Sequence, residues 1–285
     1  MTNSNGTLLV PVANAETADH LVSQAVDIAT DRGYDLSIVH VVTVPPQIPL
    51  SDGATQGDDA ERSLLEQAKD VAEPTGLSVS ATLWYDRDVA SGILGAAAEE
   101  DPDLLLLGWR GRPSQRGVVL GTHLDEVLRD ARPDVLVDRL RNGNTGTLDS
   151  ILVPVTDSRH SQFAAAIAGT IGRQRDAKVT LLHVTSPSSP ERNRDNADAV
   201  FEAAEDHLWS VGVERSAPVS ENVPGTITNE TTTHDLTVIG ASEGNLLRRR
   251  LVGSVTDAVA RHASGDVVIA HRQPATANAP DSPIE

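Results

Sequence analysis

The sequence predicts an α/β protein of two similar halves, each a five-stranded parallel sheet flanked by helices. Three observations carry this. The chain repeats itself: Leu8-Leu-Val-Pro-Val12 returns as Ile151-Leu-Val-Pro-Val155, and Leu36-Ser-Ile-Val-His-Val41 returns as Val179-Thr-Leu-Leu-His-Val184, both 143 residues later. A repeat of domain length is read before any fold is assigned. Within each half, short apolar runs alternate with segments of helical periodicity, the pattern of parallel strands joined by right-handed crossovers. Finally, a strand, a glycine-rich loop and a helix follow one another twice: Gly108 and Gly121 match Gly240 and Gly253 at an offset of 132. The second copy is therefore shorter by 143 less 132, or 11 residues.

The elements follow in order. Thr7 to Val12 reads as a strand. Ala15 to Thr30 reads as a helix, with apolar residues at Leu21, Val22, Ala25, Val26, Ile28 and Ala29 on one face. Asp35 to Val42 is a second strand. Pro45 to Asp58 is rich in Pro, Gly, Ser and Asp and is expected to be a mobile loop. A helix from Asp59 to Glu73 stops before Pro74. Leu77 to Trp84 alternates and reads as a strand. Val89 to Glu100 reads as a helix despite Gly92 and Gly95, which weaken it. Leu104 to Leu107 is a buried strand, Thr122 to Arg129 a helix, and Asp134 to Asp138 the fifth strand. Copy two repeats the order: a strand to Val155, helix 159–172, strand 178–184, loop 185–191, helix 192–211, strand 213–219, helix 223–232, strand 236–239, helix 254–262 and strand 266–270. The expected divisions are a first domain over 1–140, a polar linker over 141–148, a second domain over 149–272 and a disordered tail over 273–285.

Composition narrows the function. The 285 residues suffice for two ordinary domains, each with its own core. The chain has no cysteine, which excludes disulfides, thiolate catalysis and cysteine metal sites. It shows no basic-then-apolar leader and no apolar run long enough to cross a bilayer, so a soluble cytoplasmic protein without membrane insertion is expected. The net charge is −18, and Lys69 and Lys178 are the only lysines. Such a surface repels nucleic acid. Its acids are spread along the whole chain, which favours adaptation to high salt over a basic partner.

The stretch Gly108-Trp-Arg-Gly111-Arg-Pro-Ser-Gln-Arg-Gly-Val-Val-Leu-Gly121-Thr122 carries the chemistry. The N-terminus of a helix presents unpaired N–H groups and the positive end of its dipole. Glycines before it allow a sharp turn and a close approach of backbone to ligand. Thr122 can cap the helix or offer its hydroxyl to a phosphate. Arg110, Arg112 and Arg116 add positive charge in an acidic chain. The plainer reading is a connecting loop whose glycines serve only turns.

The spacing Gly108-x2-Gly111-x9-Gly121-Thr122 resembles the nucleotide loop of universal stress proteins, Gly-x2-Gly-x9-Gly-Ser/Thr. It is neither a Walker loop nor a dinucleotide fingerprint. Five strands per copy with the loop after strand four fit the same family, in tandem, over nearly the whole chain. The resemblance implies an open doubly wound sheet in each copy and pairing of the two fifth strands, so that one chain mimics the family dimer. It also implies ATP, with or without Mg2+, across the carboxyl ends of strands one, two and four, where strand order reverses. Carried over, the binding positions are Val12, Ala13, Val41, Gly108, Gly111, Gly121 and Thr122. The family's usual Asp is Ala13 here, which loses a polar contact that Asn14 is placed to replace. Core packing is the competing role for Val41.

The weaker second site comprises Thr156, Val184, Gly240, Gly253 and Ser254. There Glu243 occupies the second-glycine position and Gly244 follows one place late. A carboxylate about 6 Å from a phosphate charge costs about 3 kcal/mol at an effective dielectric of about 20, roughly a hundredfold in affinity, less with solvent. A bridging metal reverses that sign, and Arg248, Arg249 and Arg250 oppose it. Copy one is thus expected to be the tighter ATP site. The Gly-Ala-Ser-Glu-Gly run resembles stress-protein domains attached to some amino-acid transporters, which points weakly to a transporter partner.

Catalysis finds little support beyond, at most, weak ATP hydrolysis. The sequence has no Gly-x-Ser-x-Gly elbow and no His-Glu-x-x-His. His40 and His183 recur at matching strand ends, which argues for a shared structural role. His123 is read as a surface residue before a phosphate ligand. Asp86 and Asp88 serve magnesium or a ribose, or cap the helix at Val89. Trp109 either shields a bound nucleotide or packs against the other copy. Three functions follow in rank: an ATP-dependent regulatory protein that dimerises or binds a partner; a family member without nucleotide that acts by dimerisation and partner binding, with a membrane transporter as one such partner; and an ATP-consuming enzyme.

Overall fold

The structure is a computed structural model and describes residues 6–55, 59–110, 122–139, 147–187, 190–241 and 254–274. The first half contains β1 (Thr7–Pro11), α1 (Ala15–Arg32), β2 (Asp35–Thr43), α2 (Asp59–Ala72), β3 (Val79–Asp86), α3 (Val89–Glu100), β4 (Leu104–Trp109), α4 (Thr122–Asp130) and β5 (Asp134–Arg139). The second contains β6 (Ser150–Pro154), α5 (Arg159–Arg175), β7 (Lys178–Leu182), α6 (Pro190–Glu205), β8 (Val213–Ser216), α7 (Val223–Glu230), β9 (Leu236–Gly240), α8 (Ser254–His262) and β10 (Asp266–His271).

The strands form one sheet in the order β3-β2-β1-β4-β5-β10-β9-β6-β7-β8. Pairing is parallel within each half. The fifth strands β5 and β10 meet antiparallel, with Val137 opposite Ile269. The expected pairing of fifth strands is therefore present, and the halves form a pseudo-dimer in one chain.

Both faces of the sheet are covered, which is why its central strands are apolar throughout. Leu8 and Val10 of β1 point into one core with α1 and α2, while Leu9 joins α3 and α4 in the other. Helix limits follow from local chemistry. Asn14 caps α1, accepting from Thr17 N at 3.3 Å, and Gly33 ends it in the left-handed region at φ 66°. In α3, a Cβ at Gly92 would run into Val41 Cγ1, and one at Gly95 would lie 3.1 Å from the Trp84 ring. These glycines let α3 lie close on the sheet. Across the seam, Arg173 of α5 grips Asp31 of α1 through two bonds of 2.8 and 2.7 Å while its guanidinium stacks on Trp209.

Three expectations need correction. Instead of a mobile loop throughout 45–58, Leu50–Thr55 forms a 3-10 helix. Arg87 holds its approach by donating to the carbonyls of Val44, Pro45 and Ile48 at 3.1, 2.6 and 2.9 Å. The helix expected over 192–211 ends at Glu205 and tightens into turns, with Ser210 at φ 59°. The strand expected over 213–219 stops at Ser216, with one later bridge between Thr185 and Val219. Pro218 has no N–H to give the ladder. Residues 141–146 of the expected linker and 275–285 of the expected tail lie outside the described residues.

Candidate functional site

Strand order reverses between β1 and β4 in the first half, and between β6 and β9 in the second. Crossovers leave such a point on opposite faces, and a crevice opens beyond the carboxyl ends of the strands. The predicted positions that are described gather there. Val12 follows β1 and is buried; its N–H donates to Val39 O at 2.8 Å and its carbonyl accepts from His40 Nδ1 at 2.8 Å. Ala13 is exposed and Val41 half-buried against Gly92. Gly108 lies on β4 opposite Asp138, and Thr122 opens α4. Gly111 and Gly121, with Arg112 and Arg116, lie outside the described residues.

The second half repeats this geometry. Val155 donates to Leu182 O at 2.9 Å and accepts from His183 Nδ1 at 2.8 Å. The matching bonds of His40 and His183 bear out a shared structural role: each ties two strand ends together and fixes its Nδ1 as a donor. Thr156 is exposed, Val184 half-buried, and Ser254 opens α8. At the end of β9, a Cβ on Gly240 would lie 2.6 Å from the His160 carbonyl carbon, so only glycine lets α5 approach. Gly253, Glu243, Gly244 and Arg248 to Arg250 lie outside the described residues.

Side chains at the first site are largely engaged with one another. Arg110 donates to Asn14 Oδ1 at 2.7 Å and to Glu16 Oε2 at 2.8 Å. Asn14, placed to replace the missing Asp, is therefore already occupied by its helix cap and by Arg110. Asp88 caps α3, accepting from Ser91 N at 3.0 Å and Ser91 Oγ at 2.6 Å. Those bonds hold its carboxyl below the usual range, as capping predicts. Asp86 accepts from Arg87 N at 2.6 Å. Trp109 is buried in a core that includes residues of both halves, and His123 is exposed. Among the described residues, no group of three or more His, Asp or Glu is arranged to hold a metal.

Beside the second switch point is a cavity of about 330 Å³. Val155, Leu182 and Val184 line it from the strand ends, Val223 and Ile227 from α7, and Val255 from α8. Thr156, Ser158 and Ser161 bring hydroxyls to its β6–α5 turn, where Thr156 N donates to Ser161 Oγ at 2.8 Å and Thr156 Oγ1 to Ser158 Oγ at 3.1 Å. Thr256 also lines it and donates to Gly240 O at 2.9 Å. Sequence reasoning placed Thr156, Val184 and Gly240 here but missed the walls from α7 and α8. Those are apolar residues at helical spacing, indistinguishable in sequence from ordinary core. The Ser158 cap of α5 was the available signal.

Two ionisable groupings lie at the adjoining seam. His160 stacks on His271 with ring centres 5.0 Å apart. Burial, then His271 and Arg159, push the His160 ring down to about 4; burial also lowers His271. On the α1 side, His20 Nε2 lies 3.2 Å from Oδ2 of fully buried Asp138. Burial raises the Asp138 carboxyl, and Asp138 raises the His20 ring.

Comparison with known proteins agrees with this geometry. The model of the universal stress protein family matches twice, over residues 5–139 and 147–271. A Na(+)/H(+) antiporter of Synechocystis sp. is 30% identical over 195 residues, covering 65% of this chain and 27% of the antiporter; the chain thus spans about a quarter of that relative. Universal stress protein A homolog 2 of Coxiella burnetii is 28% identical over 139 residues, covering 47% of this chain and 94% of that protein. A solved universal stress protein of Archaeoglobus fulgidus superposes with a TM-score of 0.67 at 15% identity, covering 94% of this chain and 97% of its own. That likeness shows the fold.

Proposed function

The chain belongs to the universal stress protein family, and from that premise we propose that it is an ATP-binding regulatory protein with its better nucleotide site in the first half. The reading is carried by one juxtaposition: Gly108 lies near the end of β4, just before Trp109, at the strand-order reversal, and the Gly108-x2-Gly111-x9-Gly121-Thr122 spacing runs from there to the start of α4. Phosphate at the N-terminus of a helix meets unpaired N–H groups and a favourable dipole. The loop glycines and Thr122 would hold phosphate, Val12 and Val41 would flank the nucleoside, and Mg2+ would accompany the phosphates. Glu243 at the second loop's glycine position makes the second half the poorer phosphate site. The protein would act in the cytoplasm through partners that distinguish its nucleotide-bound state. Among the described residues no helix is long and apolar enough to cross a membrane.

The test is calorimetric titration of nucleotide-free protein with ATP and magnesium in molar potassium chloride, beside Gly121→Asp. One ATP site that disappears in the variant is the expected result. No heat, with no nucleotide released on denaturation, would overturn the reading. A second reading, a module that docks on a membrane transporter without nucleotide, draws on the 195-residue similarity to the antiporter. It would stand if the titration were silent and the protein bound a transporter's cytoplasmic face.

A further inference from the structure

We propose that β3 pairs with β3 of a second copy of this chain, antiparallel about a two-fold axis at Thr82. β3 stands at one end of the 10-stranded sheet and β8 at the other, so each has a single strand neighbour. Leu36 N donates to Ser78 O, and Val44 N to Asp86 O. In a ladder the backbone groups of successive residues turn alternately to one side and the other. The even-numbered residues of β3 therefore face β2, and Val79, Ala81, Leu83 and Tyr85 turn their N–H and C=O groups to the outer edge. An edge of that kind is a template for another strand unless the chain blunts it.

The two halves supply the comparison, because each puts its third strand at an edge. β8 is blunted. It has 4 residues, among them Glu214 and Arg215, and Arg215 is tied to Glu205 at 2.6 Å. Pro218 follows it closely. β3 has 8 residues, and from Val79 to Tyr85 it holds no charge and no proline, in a chain of net charge −18. Ser80 and Thr82 share a face with Trp84, which packs on Gly95 of α3, yet both are exposed and leave room beside them. The sequence of β3 also suits its own copy. With Thr82 opposite itself, Val79 faces the partner's Tyr85, Ala81 the partner's Leu83 and Ser80 the partner's Trp84. Every outward-facing residue then sits in a hydrogen-bonded pair, a β-branched side chain meets an aromatic ring, and two threonine hydroxyls meet at the axis. Asp86 falls opposite Ser78 instead of opposite its own copy. Pairing β3 with β8 of another chain is poorer: the shorter strand leaves part of β3 uncovered, and a head-to-tail contact of that kind does not close into a dimer.

Sedimentation velocity of the full-length protein in molar potassium chloride, where repulsion between two acidic copies is screened, tests this. One strand pair is a small interface, so a dissociation constant of roughly 1 to 100 µM is expected. Ala81→Pro removes an outward N–H and no bond to β2; it should melt like the wild type and raise that constant about tenfold or more. Val213 also turns its N–H outward, since Gly212 and Ser216 accept from β7 and the residue after it. Val213→Pro, the same change at the other edge, should leave the dimer unchanged. The chain has no cysteine, so a single introduced thiol reads the register. Thr82→Cys meets its own copy at a Cα separation of about 4.5 Å and should cross-link under mild oxidation. Ser80→Cys, about 14 Å from its copy, should not. These two variants also decide the matter if Ala81→Pro does not fold. A wild type that stays monomeric throughout the micromolar range overturns the proposal. So does a dimer that folded Ala81→Pro leaves intact, a dimer that Val213→Pro weakens as much, or equal cross-linking of the two thiols.

Discussion

The histidine stack at the seam makes stability depend on pH with a sign that the structure sets. His160 Nδ1 accepts from the backbone N–H of Arg272 at 3.0 Å. A neutral ring that accepts at Nδ1 carries its proton on Nε2, so the second proton must go to Nδ1 and break that bond. Burial, His271 and Arg159 oppose it further, which puts the ring at about 4 against the ordinary 6.5. The unfolded chain then binds a proton between pH 6.5 and about 4 that the folded chain refuses. Stability from this group is present above pH 6.5 and is lost as pH falls towards 4. At ~1.4 kcal/mol per pH unit the loss is about 3.5 kcal/mol at most. The residue is only 3% exposed, but it lies near the open end of the sheet, and screening brings the expected value to about 2 kcal/mol. Urea unfolding at pH 7.5 and 4.5, on wild type and His160→Gln, measures it. Glutamine keeps an acceptor for Arg272 and has no charge to gain. Subtracting the two proteins cancels the chain's many carboxylates and the opposite trend of His20, whose raised ring stabilises at low pH and loses that contribution as pH rises. The variant should lose about 2 kcal/mol less than wild type between the two pH values. Equal losses would refute the assignment.

Two other expectations follow from the same fold. His20→Phe alone should cost about 3 kcal/mol or more in urea unfolding at neutral pH, because it leaves Asp138 buried without its partner, whereas His20→Phe with Asp138→Ala should recover most of that. The second half already has this pair as Phe163 and Ala270, both buried; equal destabilisation in single and double variants would show that the two residues are not coupled. The charge of −18 is expected to make the melting temperature rise by several degrees between low salt and molar potassium chloride, as like charges are screened; a melting temperature highest in low salt would remove the case for salt adaptation.

Sequence carried the fold because its signals are local. Leu104 to Leu107 is apolar without alternation because α-helices cover both faces of a parallel sheet, and Asn14 and Asp88 mark helix starts by capping them. The glycine spacing placed Gly108 and Gly240 at the reversal of strand order. Where reading failed, the cause was tertiary. Residues 50–55 look like loop until Arg87, more than thirty residues on, gathers three carbonyls around its guanidinium. Val223, Ile227 and Val255 cannot be told from core residues until the neighbouring strands end and leave space beside them.

The seam histidines and Asp138 were illegible for a further reason, and it bears on how the halves came to differ. In a dimer of identical chains, every residue at the two-fold seam must suit its own copy across the axis. Here the matched seam positions hold different residues: His20 against Phe163, Asp138 against Ala270, and Arg139 against His271. Arg139 donates to the carbonyls of Ala260 and Ala263 at the end of α8, while at the end of α4 Gln273 donates to Leu128 O. Both are donors at the negative end of a helix dipole, reached by different residues. Joining two copies in one chain removes the requirement of self-complementarity, so each half can place charge where the other has none.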